Sequence, residues 1–271
     1  MNTVELIINA ATGRMGKALL QATMNDAEVK LNAAIARAGH PMVGSDVAFL
    51  IGTEPLNIDV SDNLEKVLSS NSLNQKVLID FSLPDYSILS LQQAVSARVP
   101  MVIGTTGYSP EQLETIKQAA QSIPIVLAAN YSVGVNSLIG LVKQATQLLG
   151  EMADIEIFEA HHKHKKDAPS GTALALGDAV AEEKGQKLED IAEWTRHGEA
   201  PRKEGSIGFS VVRAGDIVGT HEVVFALNGE MVTLRHEAQS RQCFASGAVI
   251  AAKWLSKQGA GLYNMQDVLG L

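Results

Sequence analysis

Short apolar runs alternate with amphipathic stretches through the first half of the chain, and this alternation constrains the fold more than any other feature. VELIIN at 4–9 reads as a buried strand, and 15–24 reads as a helix with Met15, Leu19 and Ala22 on one face. VKLNAAIA at 29–36 is the next strand. KVLIDFS at 76–82, a helix over 84–97, VPMVIGT at 99–105, a helix after Ser109-Pro110 and IPIVLAAN at 123–130 complete the series. Ser109, Pro110 and Glu111 make a good helix start: a capping hydroxyl, a proline for the first turn and an acid that complements the helix dipole. Strands alternating with helices imply a parallel sheet covered on both faces.

Beyond about residue 132 the character changes. A long apolar helix over 136–149 leads into ADIEIFEAH, a strand that alternates in and out, and a further helix is expected over 170–184. GSIGFSVVRA, THEVVFAL and EMVTLRHEA follow with no helix between them, the last two joined by Asn228-Gly229, a strong hairpin signal. This predicts an antiparallel or mixed sheet, hence a second domain of α+β type. A helical pattern over 240–258 is expected to pack back against the first domain. The expected division is 1–131 with 241–271 for one domain and 132–240 for the other.

With 46% hydrophobic and 19% charged residues, substantial buried cores are expected. The net charge of −8 argues against nucleic acid as a partner, which requires an extended basic face. The single cysteine, Cys243, excludes a disulfide framework within the chain and reads as a small buried apolar residue. The N-terminal stretch lacks the pattern of a signal peptide, and no apolar run approaches the length of a membrane span. A cytoplasmic protein with no membrane partner is expected.

Two segments carry chemistry. In VELIINAATGRMGKALL, Gly13 and Gly16 have the spacing of the last two glycines of a dinucleotide fingerprint. Gly13 would let the backbone approach a pyrophosphate, Gly16 would let helix and strand pack closely, and Arg14 would neutralise phosphate charge. Ala11 stands where the first glycine of G-x-G-x-x-G would be, so an ordinary strand–helix turn is the competing reading. The second strand ends in Ala36-Arg37, with no acid to bind ribose hydroxyls. Arg37 suits a 2′-phosphate, so NADPH is expected to be used at least as well as NADH; a solvated loop cation is the alternative.

The other segment is EAHHKHKKDAPSGTA at 159–173, which holds three of the chain's seven histidines. His161, His162 and His164 lack the i, i+4 spacing of helical zinc ligands, and lysines interleave with them, which argues against a metal. A solvated basic patch explains the charge but not the sequel. Pro169 fits a helix start, Ser170 or Asp167 can cap, and Gly171 and Thr172 would then offer backbone N–H groups to an anion. A histidine among lysine cations, with its pKa lowered, also suits proton transfer to a substrate that receives a hydride.

GRMG at 13–16, IGTTG at 103–107, AANYSVGVN at 128–136, RAGDIVGTH at 213–221 and the histidine–lysine segment together closely resemble the 4-hydroxy-tetrahydrodipicolinate reductase (dihydrodipicolinate reductase) family, essentially from end to end. The resemblance implies a Rossmann-type dinucleotide-binding domain and a second domain that binds substrate and forms a homotetramer, the two closing around ligands. It implies NADPH- or NADH-dependent reduction of a cyclic dicarboxylate to tetrahydrodipicolinate in diaminopimelate and lysine biosynthesis. His161 would be the proton donor and acceptor and Lys165 a proton donor, with His162, Gly171 and Thr172 binding substrate carboxylate. Cofactor contacts would come from Ala10, Ala11, Thr12, Gly13, Arg14 and Met15; from the Ala36-Arg37 pair; from Gly104, Thr105 and Thr106; and from Ala128, Ala129, Asn130 and Tyr131. The chain departs from the family where Ala10 replaces a usual glycine and Ala36 a frequent glutamate. Two rivals remain at this level: a non-catalytic nucleotide sensor, which needs no proton donors, and a zinc hydrolase.

Overall fold

A computed structural model describes residues 3–271. The chain forms two compact units, one built from the chain up to Val133 together with Arg241–Leu271, the other from Gly134–Ser240.

In the first unit the order is β1 (Val4–Ile8), α1 (Arg14–Met24), β2 (Val29–Ile35), α2 (Ala48–Ile51), β3 (Val60–Ser61) and α3 (Leu64–Ser69). Then come β4 (Lys76–Asp80), α4 (Pro84–Ala97), β5 (Met101–Ile103), α5 (Pro110–Ala119) and β6 (Pro124–Leu127). The second unit holds α6 (Val133–Leu149), β7 (Asp154–His161), α7 (Gly171–Glu183), α8 (Leu188–Ile191), β8 (Ala192–Glu193), β9 (Ile207–Arg213), β10 (Gly219–Leu227) and β11 (Glu230–Ala238). The chain then returns to the first unit with α9 (Gln242–Leu255), β12 (Gly261–Tyr263) and α10 (Met265–Leu269).

The first unit's sheet is parallel throughout, in the order β12-β6-β5-β4-β1-β2-β3. Its strands are apolar on both faces because both are covered. Leu6, Ile8, Val77, Ile79, Val102 and Val126 join the core that includes residues of α1, α9 and α10. The alternate residues Ile7, Leu78, Met101, Ile103 and Ile125 join the core that includes residues of α3, α4 and α5. The helix expected over 240–258 is therefore α9, and it lies on this sheet. Gly247 makes that possible, since a Cβ there would fall 1.7 Å from the Tyr131 carbonyl oxygen. Ser109 begins α5 with a capping box, its hydroxyl accepting from the Gln112 N–H while the Gln112 side chain accepts from the Ser109 N–H.

The second unit's sheet is mixed, in the order β11-β10-β7-β9-β8. β10 runs antiparallel to β7 and β11, and β9 runs parallel to β7 and β8. Leu227 pairs with Glu230 across the Asn228-Gly229 turn, where Gly229 takes φ 85°. Along β7, Ile155, Ile157, Glu159 and His161 are buried on one face, the apolar pair against Leu176, Val180 and Phe225. The opposite face of this sheet carries exposed Val212 and Met231.

The short elements α2, β3, α3, α8, β8, β12 and α10 were not anticipated from sequence. Each is too brief to display a period. Pro169 precedes the cap rather than opening the helix: Ser170 is the N-cap, its hydroxyl accepting from the Ala173 N–H, and Asp167 has a different role.

Candidate active site

Because the first unit's strands all point the same way, the residues that follow β1, β2, β4, β5 and β6 lie along one edge of the sheet. Backbone hydrogen bonds carry the pairing into these loops, from Asn9 N–H to Ile79, Ala11 N–H to Ile35, Gly104 N–H to Asp80 and Ala128 N–H to Ile103. Connections run outward from β1 in one direction and from β4 in the other, and the carboxyl end of such a switch point is where open α/β sheets bind ligands.

α1 starts beside this point. Gly13 is its N-cap with no side-chain cap, there is no acid in the first turn, and Arg14 is exposed. The backbone N–H groups and dipole there favour an anion. A Cβ on Gly16 would come within 2.4 Å of the Ala10 carbonyl oxygen, so close strand–helix packing is the reason for that glycine. The site residues expected here come together along the edge but differ in what they expose. Ala11 and Ala36 are buried, Thr12 and Met15 half-buried, and Arg37, Thr106 and Ala129 exposed. Gly104 is held tight against Phe81, where a Cβ would sit 2.1 Å from the ring. The Tyr131 side chain is core, its hydroxyl within 2.8 Å of the Ile103 carbonyl oxygen, and Asn130 Oδ1 accepts from the Ser132 N–H. Ala36 and Tyr131 thus have only backbone to offer a ligand.

Ala10 adopts φ 51°, the left-handed region that costs a residue with a Cβ roughly 1–2 kcal/mol. Glycine removes that strain while adding unfolded-state entropy, so Ala10→Gly is expected to stabilise the protein by about 0.5–1 kcal/mol. A higher thermal midpoint for the variant checks this; a lower one contradicts it.

Asn9 and Asp80, both fully buried at the switch point, were missed from sequence. Asn9 Nδ2 donates to Asp80 Oδ1 at 2.6 Å and to Ser90 Oγ at 2.9 Å. Thr105 Oγ1 donates to Asp80 Oδ2 at 2.8 Å and accepts from the Ser82 N–H at 2.9 Å. Thr105 therefore ties the loop after β5 to that after β4. The signal was present: each is a polar residue that directly follows a run of buried apolar residues, 6–8 and 77–79.

The second group of site residues is in the other unit. β7 ends at His161, and the chain turns through the lysines to α7. Glu159, 1% exposed, organises this turn. Its Oε2 lies 2.6 Å from His161 Nδ1 and accepts from Arg213 Nη1 at 2.7 Å. Its Oε1 accepts from Arg213 Nη2 at 2.8 Å and from the Ser170 N–H at 2.9 Å. Burial pushes the Glu159 carboxyl up, but the Arg213 and His161 hydrogen bonds outweigh it and hold the group below its ordinary value. Burial pushes His161 below the ordinary histidine range, with help from Lys165 and Arg213 and against the pull of Glu159. Lys165 Nζ pairs with Asp167 at 2.9 Å, so Asp167 serves the lysine instead of capping the helix. His162 is half-buried beside exposed His164, their ring centroids 6.3 Å apart. Gly171 and Thr172 open α7, and a Cβ on Gly171 would meet nothing within 4 Å, leaving room for a ligand at the helix start.

His221 on β10 was also missed. It is 3% exposed, with Nε2 at 3.0 Å from Ser170 Oγ and its ring edge-on to His161 at 5.0 Å between centroids. Burial, reinforced by the neighbouring His161, pushes its pKa down to about 3, so the ring is neutral. Position on an extended run gave no sign that it would face His161. Among the described residues no group of three or more His, Cys, Asp or Glu is arranged to hold a metal ion, and no helix is long and apolar enough to cross a membrane.

Comparison with known proteins gives this geometry a family. The model for the dihydrodipicolinate reductase N-terminus matches residues 4–131, and that for the C-terminus matches 134–269. A 4-hydroxy-tetrahydrodipicolinate reductase of Methylococcus capsulatus is 50% identical over 265 residues, 97% of each chain. One of Nitrosospira multiformis is 45% identical over 272 residues, spanning 100% of this chain and 99% of that one. The fold is that of a dipicolinate-bound dihydrodipicolinate reductase from Paenisporosarcina, with a TM-score of 0.75 over 98% of both chains at 22% identity. Both family models match, one over each unit, and the relatives span the whole chain, so the chain belongs to the dihydrodipicolinate reductase family.

Proposed function

We propose that His161 and Lys165 handle the proton, and Gly171, Thr172 and His162 the substrate carboxylate, in the family's reaction, the pyridine-nucleotide-dependent reduction of 4-hydroxy-tetrahydrodipicolinate on the route to diaminopimelate and lysine. The nucleotide supplies a hydride; the substrate takes up a proton as well and loses its hydroxyl as water. The observation that carries these roles is the turn from β7 to α7. It places a histidine of depressed pKa, a lysine and a helix start on one short segment, with the helix start open to a ligand. The dipicolinate named for the Paenisporosarcina structure is a dianion of the kind this cationic turn would hold.

The carboxyl edge of the parallel sheet suits a dinucleotide. The uncapped start of α1 and the adjacent Arg14 would take pyrophosphate charge, with the backbone from Ala10 to Met15 close by. The loops holding Gly104 to Thr106 and Ala128 to Tyr131 border the same edge. Exposed Arg37, with buried Ala36 before it and no carboxylate at the strand end, favours a 2′-phosphate. NADPH is therefore expected to match or exceed NADH in kcat/KM, and side-by-side kinetics on enzymatically generated substrate test reaction and cofactor together. A tenfold preference for NADH would overturn the cofactor reading, and no turnover with either would overturn the roles. The exposed apolar residues on the open face of the second unit's sheet support a homotetramer assembled through that unit, and the reading as a whole is of a cytoplasmic enzyme acting on a small dicarboxylate.

A further inference from the structure

We propose that Glu159 is the positioning residue for proton transfer: one buried carboxylate, clamped by Arg213, holds both the His161 ring and the start of α7. This rests on the reading of His161 as the proton donor.

A carboxylate has about four lone-pair sites, and Glu159 fills four, two with Arg213, one with His161 and one with the Ser170 N–H. A carboxylate this deeply buried would be costly without a cation, and Arg213 meets that need with a bidentate pair, anchored by a further bond from Nη2 to the Asp167 carbonyl oxygen at 2.6 Å. Stability alone would be served by the Arg213 pair. The other two donors are the proposed proton carrier and the N-cap residue directly before Gly171 of the proposed carboxylate site, so a single group sets the spacing between them.

The same contact sets the chemistry of the ring. A carboxylate only accepts, so His161 Nδ1 carries its proton toward Glu159 and Nε2 is left for a reacting group. Nε2 lies close to Gly219, where a Cβ would stand 3.1 Å from it. The groups facing His161 are Glu159 on its own strand, Arg213 on β9, neutral His221 on β10 and Lys165 in the following turn, with Asp167 paired to that lysine. His236 on β11 lies opposite His221. Glu159 is thus the group that favours the imidazolium against burial and two cations.

Glu159→Gln keeps the shape and removes the charge. Selective ¹⁵N labelling of the histidines reports the titration midpoint and tautomer of His161 by NMR. The midpoint is expected to fall by about one pH unit or more, because an opposite charge is lost. Because a proton donor must be protonated, the basic limb of the kcat–pH profile should move to lower pH in the same way, and kcat at neutral pH should fall at least about tenfold with nucleotide KM within about twofold. Glu159→Gln with Arg213→Gln removes both members of the ion pair, so no arginine is left without its carboxylate; it serves where the single variant does not fold, and the same fall, reduced in size, is expected. A His161 midpoint within about 0.3 unit of wild type overturns the proposal whatever His161 does in catalysis. Conversely, wild-type kcat in His161→Gln would defeat the reading of His161 and leave the NMR result standing.

Discussion

His161→Gln is expected to lower kcat by roughly 10²–10⁴-fold, the range that a positioned general acid contributes. Glutamine retains a polar group near the Glu159 carboxylate, so the buried Arg213–Glu159 pair keeps its own bonds and the fold should persist. Lys165→Ala should also cripple turnover, since its ammonium stands on the same turn as His161, paired with Asp167. Circular dichroism and nucleotide binding should match wild type for both variants while steady-state kcat collapses. Near-wild-type kcat in the histidine variant would remove His161 from the mechanism.

The second large effect is on stability, through His221. Its folded pKa of about 3 lies far below the unfolded value near 6.5. The unfolded chain therefore binds a proton that the native one refuses, and stability must fall as pH falls below about 6.5, continuing down to about 3. The slope for one such group is about 1.4 kcal/mol per pH unit, so between pH 6.5 and 5 the loss reaches about 2 kcal/mol. His161 and His236, also depressed by burial, act with the same sign. Glu159 adds to the loss only as pH drops through the carboxylate range, because its folded pKa is depressed. His221→Gln keeps a polar group for the Ser170 hydroxyl and removes the titration. Urea midpoints at pH 7, 6 and 5 should fall less steeply for the variant than for wild type; parallel slopes would show that His221 titrates freely.

How much of this was legible follows the length of each signal. The long alternation announced the parallel sheet, and Asn228-Gly229 announced the hairpin, because period and turn chemistry are local. The helix start at 170 was visible in Ser170 and the small residues after it, and of the two candidate caps, Ser170 and Asp167, Ser170 is the one that caps. The histidine–lysine segment identified the family by resemblance. What stayed hidden depends on pairing across the sheet: His221 stands opposite Glu159 only because β10 pairs with β7 in one register. Likewise Arg213 reaches Glu159 only because β9 lies parallel to β7. No spacing along the chain encodes either meeting. Asn9 and Asp80 were visible as polar residues directly after apolar runs, but their bond to each other needed β1 beside β4.

The return of α9 to the first sheet governs the order in which the chain can become a protein. A ribosome makes every residue of the second unit before it makes the helix that covers one face of the first. Until then Leu6, Ile8, Val77 and their neighbours lack part of their cover, while Gly134–Ser240 already has its whole core. The unit begun first is thus finished last, reversing the usual order of synthesis and folding. Lys253 on α9 then fastens the end to the beginning, its ammonium 2.6 Å from Asp26 and 2.8 Å from Glu28 between α1 and β2.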